Sequence, residues 1–99
     1  MARFDFIAVY IMANRRNGTL YTGVTADLPA RVYAHKTGDG SVFTKKYGCD
    51  QLVWFERFDT MEPALVRERR LKDWKRKWKL DLIEAINPDW RDLTGDLNL

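Results

Sequence analysis

The sequence predicts one α/β domain of the α+β kind, with a small three-stranded central sheet flanked by helices. Three segments have the β-branched and aromatic content of strands, and two have the spacing of amphipathic helices. The 99 residues, 45% of them hydrophobic and 31% charged, suit a single hydrophobic core and exclude a disordered chain. We place the domain at residues 1–94 and interpret residues 95–99 as a C-terminal tail.

The first two strands, residues 6–12 and 20–24, form a predicted hairpin because Asn17-Gly18 between them tolerates positive φ. A two-residue turn at this point sets Met12 opposite Gly23 and Asn14 opposite Tyr21. Side chains in a strand alternate between the two faces of the sheet. Tyr10, Met12, Tyr21 and Gly23 are therefore expected on one face, and a longer loop would shift the pairing.

A short helix is predicted over residues 28–36. Asp27 is a favourable N-cap, Pro29 suits the first turn, and Gly38 marks the end. Within the helix, Arg31 and His35 are four residues apart and therefore lie on the same side.

The rest of the chain is predicted as a Gly- and Lys-containing loop over 37–50, a third strand over 51–58, and helix from 62 to about 86. A break is expected near 75–77, and Asn87-Pro88 ends the helix. One helical stripe contains the apolar side chains of Ala64, Leu71, Trp78 and Leu82, flanked by Trp74.

Basic residues are concentrated in one part of the chain. Residues 67–79 contain eight Lys or Arg against Glu68 and Asp73, a net charge of +6, whereas the whole chain has a net charge of +3. Such a segment indicates either a polyanionic partner or a solvated helix face.

Cysteine content and hydropathy indicate a cytoplasmic protein without a membrane segment. Cys49 is the only cysteine, so the chain forms no internal disulfide, and no Cys/His cluster has zinc-ligand spacing. The apolar stretch 6–12, preceded by Asp5, is too short to cross a bilayer and lacks the regions of a signal peptide.

Two short motifs in the predicted hairpin, Val9-Tyr10-Ile11 and Tyr21-Thr22-Gly23, resemble the two halves of the GIY-YIG signature. The stretch YTGVTADLPARVYAHKTG resembles the same family's tyrosine-X-glycine, D-L, arginine and histidine pattern. FTKKYG and ALVRERRLKDWKRKWKLDLIEAINPDWRDL extend the similarity over almost the whole chain. The sequence is therefore identified as similar to the GIY-YIG nucleases, and in particular to the short stand-alone bacterial (UPF0213-like) members.

The resemblance implies the GIY-YIG endonuclease fold and metal-dependent hydrolysis of DNA phosphodiester bonds, without a small-molecule cofactor. It implies that Tyr21 acts as general base and that Glu68 is the sole protein ligand of Mg²⁺ or Mn²⁺. Arg31 would stabilise the developing phosphorane charge, with Tyr10 and His35 as neighbours.

The chemistry agrees with that residue set. Phosphodiester hydrolysis needs a positioned water, a proton acceptor, cationic charge stabilisation and usually a metal. One carboxylate is adequate for Mg²⁺, which retains several waters. A phenol has an ordinary pKa near 10, so nearby cations must lower the pKa of Tyr21 for it to act as a base.

Each assignment has a structural alternative. Tyr10 and Tyr21 are also typical half-buried strand aromatics, and Glu68 among basic residues is typical of a surface ion pair. Gly23 indicates either close approach of backbone or ligand, or a β-bulge. His35 suits a helix C-terminus, or a hydrogen bond to a phosphate or a tyrosine hydroxyl.

Nucleic-acid contacts are expected from two basic groups. The first comprises Lys45, Lys46 and Tyr47; the second comprises Lys72, Lys75, Arg76 and Lys79. Trp74 and Trp78 are candidates for base stacking, although helical spacing favours core positions for both.

Three functions therefore compete. A DNA endonuclease, with repair or recombination as the context that the resemblance implies, uses the whole residue set. A nucleic-acid-binding module of the same fold with little or no cleavage uses only the basic residues. A protein-interaction domain leaves the paired tyrosines and Arg31 unexplained.

Overall fold

Three antiparallel strands and four helices make up the fold in the computed structural model, which describes residues 6–97. Asp5 and the last two residues of the predicted tail lie outside that range. The elements, in chain order, are β1 (Ile7–Ala13), β2 (Leu20–Thr25), α1 (Leu28–Lys36), α2 (Val42–Tyr47), β3 (Gln51–Phe58), α3 (Met61–Asp73), α4 (Arg76–Ile86) and a final 3₁₀ turn (Leu93–Leu97). The sheet order is β2-β1-β3, so β1 is central and the predicted fold class is confirmed.

The central strand separates two hydrophobic clusters because its side chains alternate between the faces of the sheet. Ile7, Val9 and Ile11 face a first cluster that includes Ala64 and Leu71 of α3 and Ile83 of α4. Ala8, Tyr10 and Met12 face a second cluster that includes Leu28 and Val32 of α1. We call these two sides the α3 face and the α1 face.

The predicted pairing of the hairpin is wrong by two residues. Tyr10 pairs with Gly23 and Met12 with Tyr21, because the connection is longer than a two-residue turn. The Gly18 amide donates to the Arg15 carbonyl and Asn14 Oδ1 accepts from the Thr19 amide. Asn17 has the expected positive φ, 56°. A register shift of two residues leaves each side chain on the same face of the sheet. The prediction that one face contains Tyr10, Met12, Tyr21 and Gly23 is therefore confirmed.

The first helix has the predicted bounds. The Asp27 side chain accepts from the Ala30 amide, and Gly38 follows the helix with a φ of 88°.

The predicted loop 37–50 is wrong in part, since it contains α2. Ser41 Oγ accepts from the Thr44 amide at the helix start, and Gly48 ends the helix at a φ of 66°, a conformation that glycine adopts without strain. Lys45, Lys46 and Tyr47 therefore lie on a helix instead of a loop.

The long C-terminal helix breaks at Trp74 and Lys75, close to the predicted position, and ends at Asn87 as predicted. The break turns Trp78 outward, leaving it 49% exposed, so its predicted core position is wrong; Trp74 packs against the first cluster. The residues at the break are all compatible with a helix. The position of the break is therefore determined by packing and not by helix propensity. No helix within residues 6–97 is long and apolar enough to cross a membrane.

The C-terminal segment packs on the domain as far as the structure describes it. The Asn87 side-chain amide donates to the carbonyls of Val53 and Arg91. Leu97 is buried in the second cluster. Leu97, within the predicted tail, therefore contacts the α1 face.

Candidate active site

The two tyrosines of the motif lie side by side on the α1 face, at the edge strand of the sheet. Their ring centroids are 6.3 Å apart. Tyr10, on the central strand, is 1% exposed, whereas Tyr21, on the edge strand, is half-buried. Tyr21 is therefore the phenol that a ligand can reach from solvent.

Gly23 makes room for the Tyr10 ring. A Cβ at position 23 would lie 2.6 Å from both Cζ and the hydroxyl oxygen of Tyr10. Pairing between β1 and β2 is continuous at this point, and the irregularity in β1 lies on its other side, opposite β3 between Ile11 and Met12. Close approach is thus the correct reading of Gly23, and the alternative of a bulge is wrong.

His35 contacts the Tyr10 hydroxyl, one of the two partners expected from its spacing. Its Nε2 is 2.8 Å from the Tyr10 hydroxyl and its Nδ1 is 2.9 Å from Thr44 Oγ1. The side chain is buried, and burial together with the nearby charge of Arg31 lowers the pKa of His35 to about 4. The imidazole is neutral near neutral pH.

The hydroxyl of Thr44 is the partner of the second imidazole nitrogen. Thr44 Oγ1 lies 2.9 Å from His35 Nδ1, 2.9 Å from Ser41 Oγ and 3.3 Å from the Ser41 carbonyl. When its proton is directed to Ser41, Thr44 Oγ1 accepts from His35 Nδ1. His35 Nε2 is then the acceptor for the Tyr10 hydroxyl proton. The chain of groups runs from Ser41 through Thr44 and His35 to Tyr10.

Sequence reasoning missed Ser41, Thr44 and Gly40 as parts of this site. A Cβ at Gly40 would lie 2.0 Å from His35 Nδ1, so only glycine fits beside the imidazole. The available signal was the Ser41 cap three residues before Thr44, followed by Gly48. That pattern marks a short helix and puts Thr44 on its first turn.

Arg31 lies one turn before His35 and interacts with both phenols. Hydrogen bonding to Tyr10 is the largest influence raising the pKa of Arg31, and the contact with Tyr21 acts in the same direction. Its Nη2 also donates to the Gly40 carbonyl at 2.6 Å. For Tyr10 itself burial outweighs the nearby cation and raises the pKa to about 12. Tyr10 is a neutral phenol at physiological pH.

Glu68 influences Tyr10 electrostatically. It lies on α3, and its carboxylate accepts from Lys72 at 2.6 Å with 16% of the side chain exposed. Its charge is among the smaller influences that raise the pKa of Tyr10. Among residues 6–97, no group of three or more His, Cys, Asp or Glu is arranged to bind a metal ion.

Aromatic side chains continue outward from Tyr21 along α2. Phe43 lies 5.9 Å from the Tyr21 ring and 4.8 Å from the Tyr47 ring, centroid to centroid. Phe43 and Tyr47 are 40% and 43% exposed, and Lys46 Nζ lies 5.4 Å from the centroid of the Tyr47 ring. Lys45 is exposed on the same helix. This surface combines ring faces with positive charge.

The second predicted basic group is divided between different contacts. Lys72 pairs with Glu68, and Lys75 Nζ lies 5.6 Å from the centroid of the Trp78 ring. Arg76 donates to carbonyls of the hairpin loop, and Lys79 is half-buried near it. These four residues therefore do not form one uniform solvated face.

Comparison with known proteins covers most of the chain. The sequence profile described as the GIY-YIG catalytic domain matches residues 6–81, which include every residue of the candidate site. A UPF0213 protein of Haloquadratum walsbyi is 41% identical over 80 residues, 81% of this chain and 89% of the relative. A UPF0213 protein of Staphylococcus saprophyticus is 43% identical over 68 residues, 69% of this chain and 83% of the relative.

A solved structure agrees with the fold. The solution NMR structure of a UPF0213 protein from Bacillus halodurans superimposes with a TM-score of 0.56 at 29% identity, covering 91% of this chain and 95% of that chain. The resemblance that the two hairpin motifs and the segments after them indicated is thus confirmed. This chain belongs to the GIY-YIG catalytic domain family.

Proposed function

We propose that this protein is a metal-dependent endonuclease that hydrolyses phosphodiester bonds of DNA. The observation that carries the proposal is the position of Arg31, whose guanidinium interacts with both Tyr10 and Tyr21 beside a neutral, buried imidazole. A cation that interacts with two phenols, and whose Nη2 is held by the Gly40 carbonyl at 2.6 Å, suits an anionic substrate whose charge increases in the transition state.

The two phenols take different roles because they differ in exposure. Half-buried Tyr21, in its phenolate form, receives the proton of the attacking water. The P–O bond to the leaving sugar oxygen breaks, and solvent water protonates that oxygen. Tyr10, whose pKa burial raises to about 12, keeps its proton and hydrogen-bonds His35. Arg31 stabilises the negative charge that develops on the phosphate oxygens. Tyr10 and His35 keep Arg31 in place from the buried side.

Glu68 has the properties that a lone ligand of Mg²⁺ or Mn²⁺ requires. Its carboxylate is partly accessible, and its described partner Lys72 is itself 52% exposed and on a flexible stem. Magnesium in proteins commonly uses one or two carboxylates, and water and substrate phosphate supply the remaining oxygens. Such an ion, when bound, would supply additional positive charge for phosphodiester hydrolysis.

Binding of DNA is assigned to the two basic groups and to the aromatic surface of α2. Lys45 and Lys46 would contact phosphates, as would Lys72, Lys75, Arg76 and Lys79. Phe43 and Tyr47 offer ring faces on which bases can stack beside Tyr21.

The Glu68–Lys72 ion pair favours a second candidate function. A carboxylate already neutralised by lysine binds a metal less readily, and the protein would then bind nucleic acid with little or no cleavage. The two functions differ in metal dependence and in the effect of removing the carboxylate.

The test compares wild type with Glu68→Gln on branched, nicked, single-stranded and duplex DNA, with Mg²⁺ or Mn²⁺ and with EDTA. We expect metal-dependent cleavage by wild type, and none by Glu68→Gln, which should bind DNA as well or slightly better. Glu62→Gln, an exposed carboxylate on the same helix, is the matched control and should cleave normally. Equal cleavage by Glu68→Gln and wild type would make Glu68 a surface residue and refute its role as metal ligand.

A further inference from the structure

A concave pocket lies between the hairpin loop and the α3–α4 junction, on the opposite side of the edge strand from Tyr21. Its volume is about 560 Å³. Its lining combines cations, polar loop groups and apolar side chains: Arg15, Asn17, Gly18, Thr19, Leu20, Trp74, Arg76 and Lys79. None of these residues is acidic.

Three of the lining residues are cations, and none of the three forms an ion pair among the described residues. Arg76 Nη2 donates to the carbonyls of Asn17 and Gly18 at 2.8 and 2.7 Å, which fixes the guanidinium against the loop. Burial, and then the charge of Arg76, lowers the pKa of Lys79, and the opposing charge of Asp73 does not reverse this shift. Within residues 6–97, neither Arg15, Arg76 nor Lys79 forms an ion pair with an acid. An anion would relieve this repulsion.

The apolar part of the pocket comes from Trp74 and Leu20, both half-buried against the first cluster. A pocket with cations and an aromatic wall matches a nucleotide, which combines a phosphate with an aromatic base, better than it matches an inorganic anion.

The pocket lies close to the candidate active site along the chain. Leu20 contacts the first cluster and the next residue, Tyr21, contacts the second, so the two sites lie on opposite faces of the edge strand β2. One peptide unit joins them. A strand that crosses the end of β2 would therefore pass both sites within a few nucleotides.

We propose that this pocket binds a phosphodiester group of the DNA strand, a few nucleotides from the bond that is cut, with the adjoining nucleoside against Trp74. The inference rests on the proposed function, since it assigns a further contact to the same substrate. A free nucleotide carries the same phosphate chemistry, so the experiment must separate the two sources.

The test measures binding of fluorescein-labelled DNA by anisotropy in EDTA over a series of KCl concentrations. The pocket variant is Arg15→Ala with Lys79→Ala. The matched control is Arg16→Ala with Lys77→Ala, which removes the same charge from the same two segments outside the pocket lining. We expect about a tenfold loss of affinity for the pocket variant and a salt slope lower by about 2, against at most about threefold for the control.

Two further measurements keep the result interpretable. Thermal unfolding of the pocket variant checks folding, and Lys79→Gln, which retains most of the stem, replaces Lys79→Ala if unfolding begins early. Quenching of tryptophan fluorescence by DNA should decrease in Trp74→Phe. Adenosine monophosphate at the same nucleotide concentration should quench far less than DNA; equal quenching would make a free nucleotide the occupant and overturn the proposal.

The pocket and the proposed function fail in different ways. If wild type cleaves DNA and the pocket variant binds as the control does, the pocket inference is wrong and hydrolysis stands. If the pocket variant loses affinity as expected but wild type never cleaves with any metal, the pocket stands and hydrolysis is wrong.

Discussion

The Tyr10 ring lies directly over Gly23, its cross-strand partner, at a distance that no side chain at position 23 could share. The absence of a Cβ on the edge strand lets the phenol extend across it towards Arg31 and His35. One backbone position on β2 therefore determines where a hydroxyl from β1 is placed.

Substituting Gly23→Ala should displace the Tyr10 hydroxyl from His35. We expect a loss of about 1–3 kcal/mol in the free energy of unfolding, typical of overpacking, and a loss of DNA cleavage larger than that loss of stability explains. Denaturant unfolding and cleavage rates measured below the unfolding transition separate the two effects.

The matched control for this change is Gly95→Ala, because a Cβ there meets nothing within 4 Å. It should change neither stability nor cleavage appreciably. A Gly23→Ala protein as stable and active as Gly95→Ala would show that the Tyr10 ring moves aside without consequence.

Stability should depend on pH through His35. Burial lowers its pKa from 6.5 to about 4, so the unfolded state binds more protons than the folded state between these values. The neutral imidazole therefore makes its full contribution to the free energy of unfolding above about pH 6.5. As the pH falls towards 4, protonation of His35 lowers that free energy by up to about 3 kcal/mol.

The measurement for His35 is the free energy of unfolding from pH 4 to 7 for wild type and His35→Gln. Carboxylates titrate in both proteins, so the difference between the curves isolates the imidazole. Parallel curves across this window would mean that His35 has the same pKa in the folded and unfolded states, which would contradict the prediction.

Thr44 should position His35 through its hydroxyl. Thr44→Val is close in shape but leaves His35 Nδ1 and the Ser41 carbonyl without this partner, at a cost of about 1–3 kcal/mol. Thr44→Ser retains the hydroxyl and should retain stability and cleavage. The nitrogen chemical shifts of the imidazole report its protonation, which should change in Thr44→Val alone; identical shifts in both variants would remove the positioning role.

Arg31→Ala should reduce the rate of cleavage far more than the affinity for DNA, because its charge is needed most where the transition state is most anionic. Arg31→Lys keeps the charge but not the fork that contacts both phenols and the Gly40 carbonyl, and should restore only part of the rate. Single-turnover cleavage and DNA binding in EDTA distinguish rate from affinity. Equal losses of both in Arg31→Ala would reassign Arg31 to ground-state binding.

Much of the fold follows from local sequence. Helix α1 was predicted with its bounds because Asp27, Pro29 and Gly38 each fix a local backbone conformation. The shared face of Tyr10 and Tyr21 was also predictable. Side chains alternate between the two faces with a period of two, so an error of two residues in the register leaves each side chain on the predicted face.

Other features depended on packing between distant segments. The length of the hairpin loop, the outward turn of Trp78 and the helix around Thr44 follow from tertiary contacts that residue preferences do not specify. The Arg76 contact with the hairpin loop joins residues 58 and 59 positions apart.

Local sequence specifies the candidate residues and the side of the strand or helix on which each lies, because alternation in strands and one-turn spacing in helices are local and periodic. The electrostatics of the site depend on tertiary packing. Burial of Tyr10 and His35 moves their pKa values in opposite directions, leaving both neutral beside Arg31, and Glu68 pairs with Lys72. Desolvation and ion pairing depend on which groups the whole chain brings together, and no local pattern contains that information.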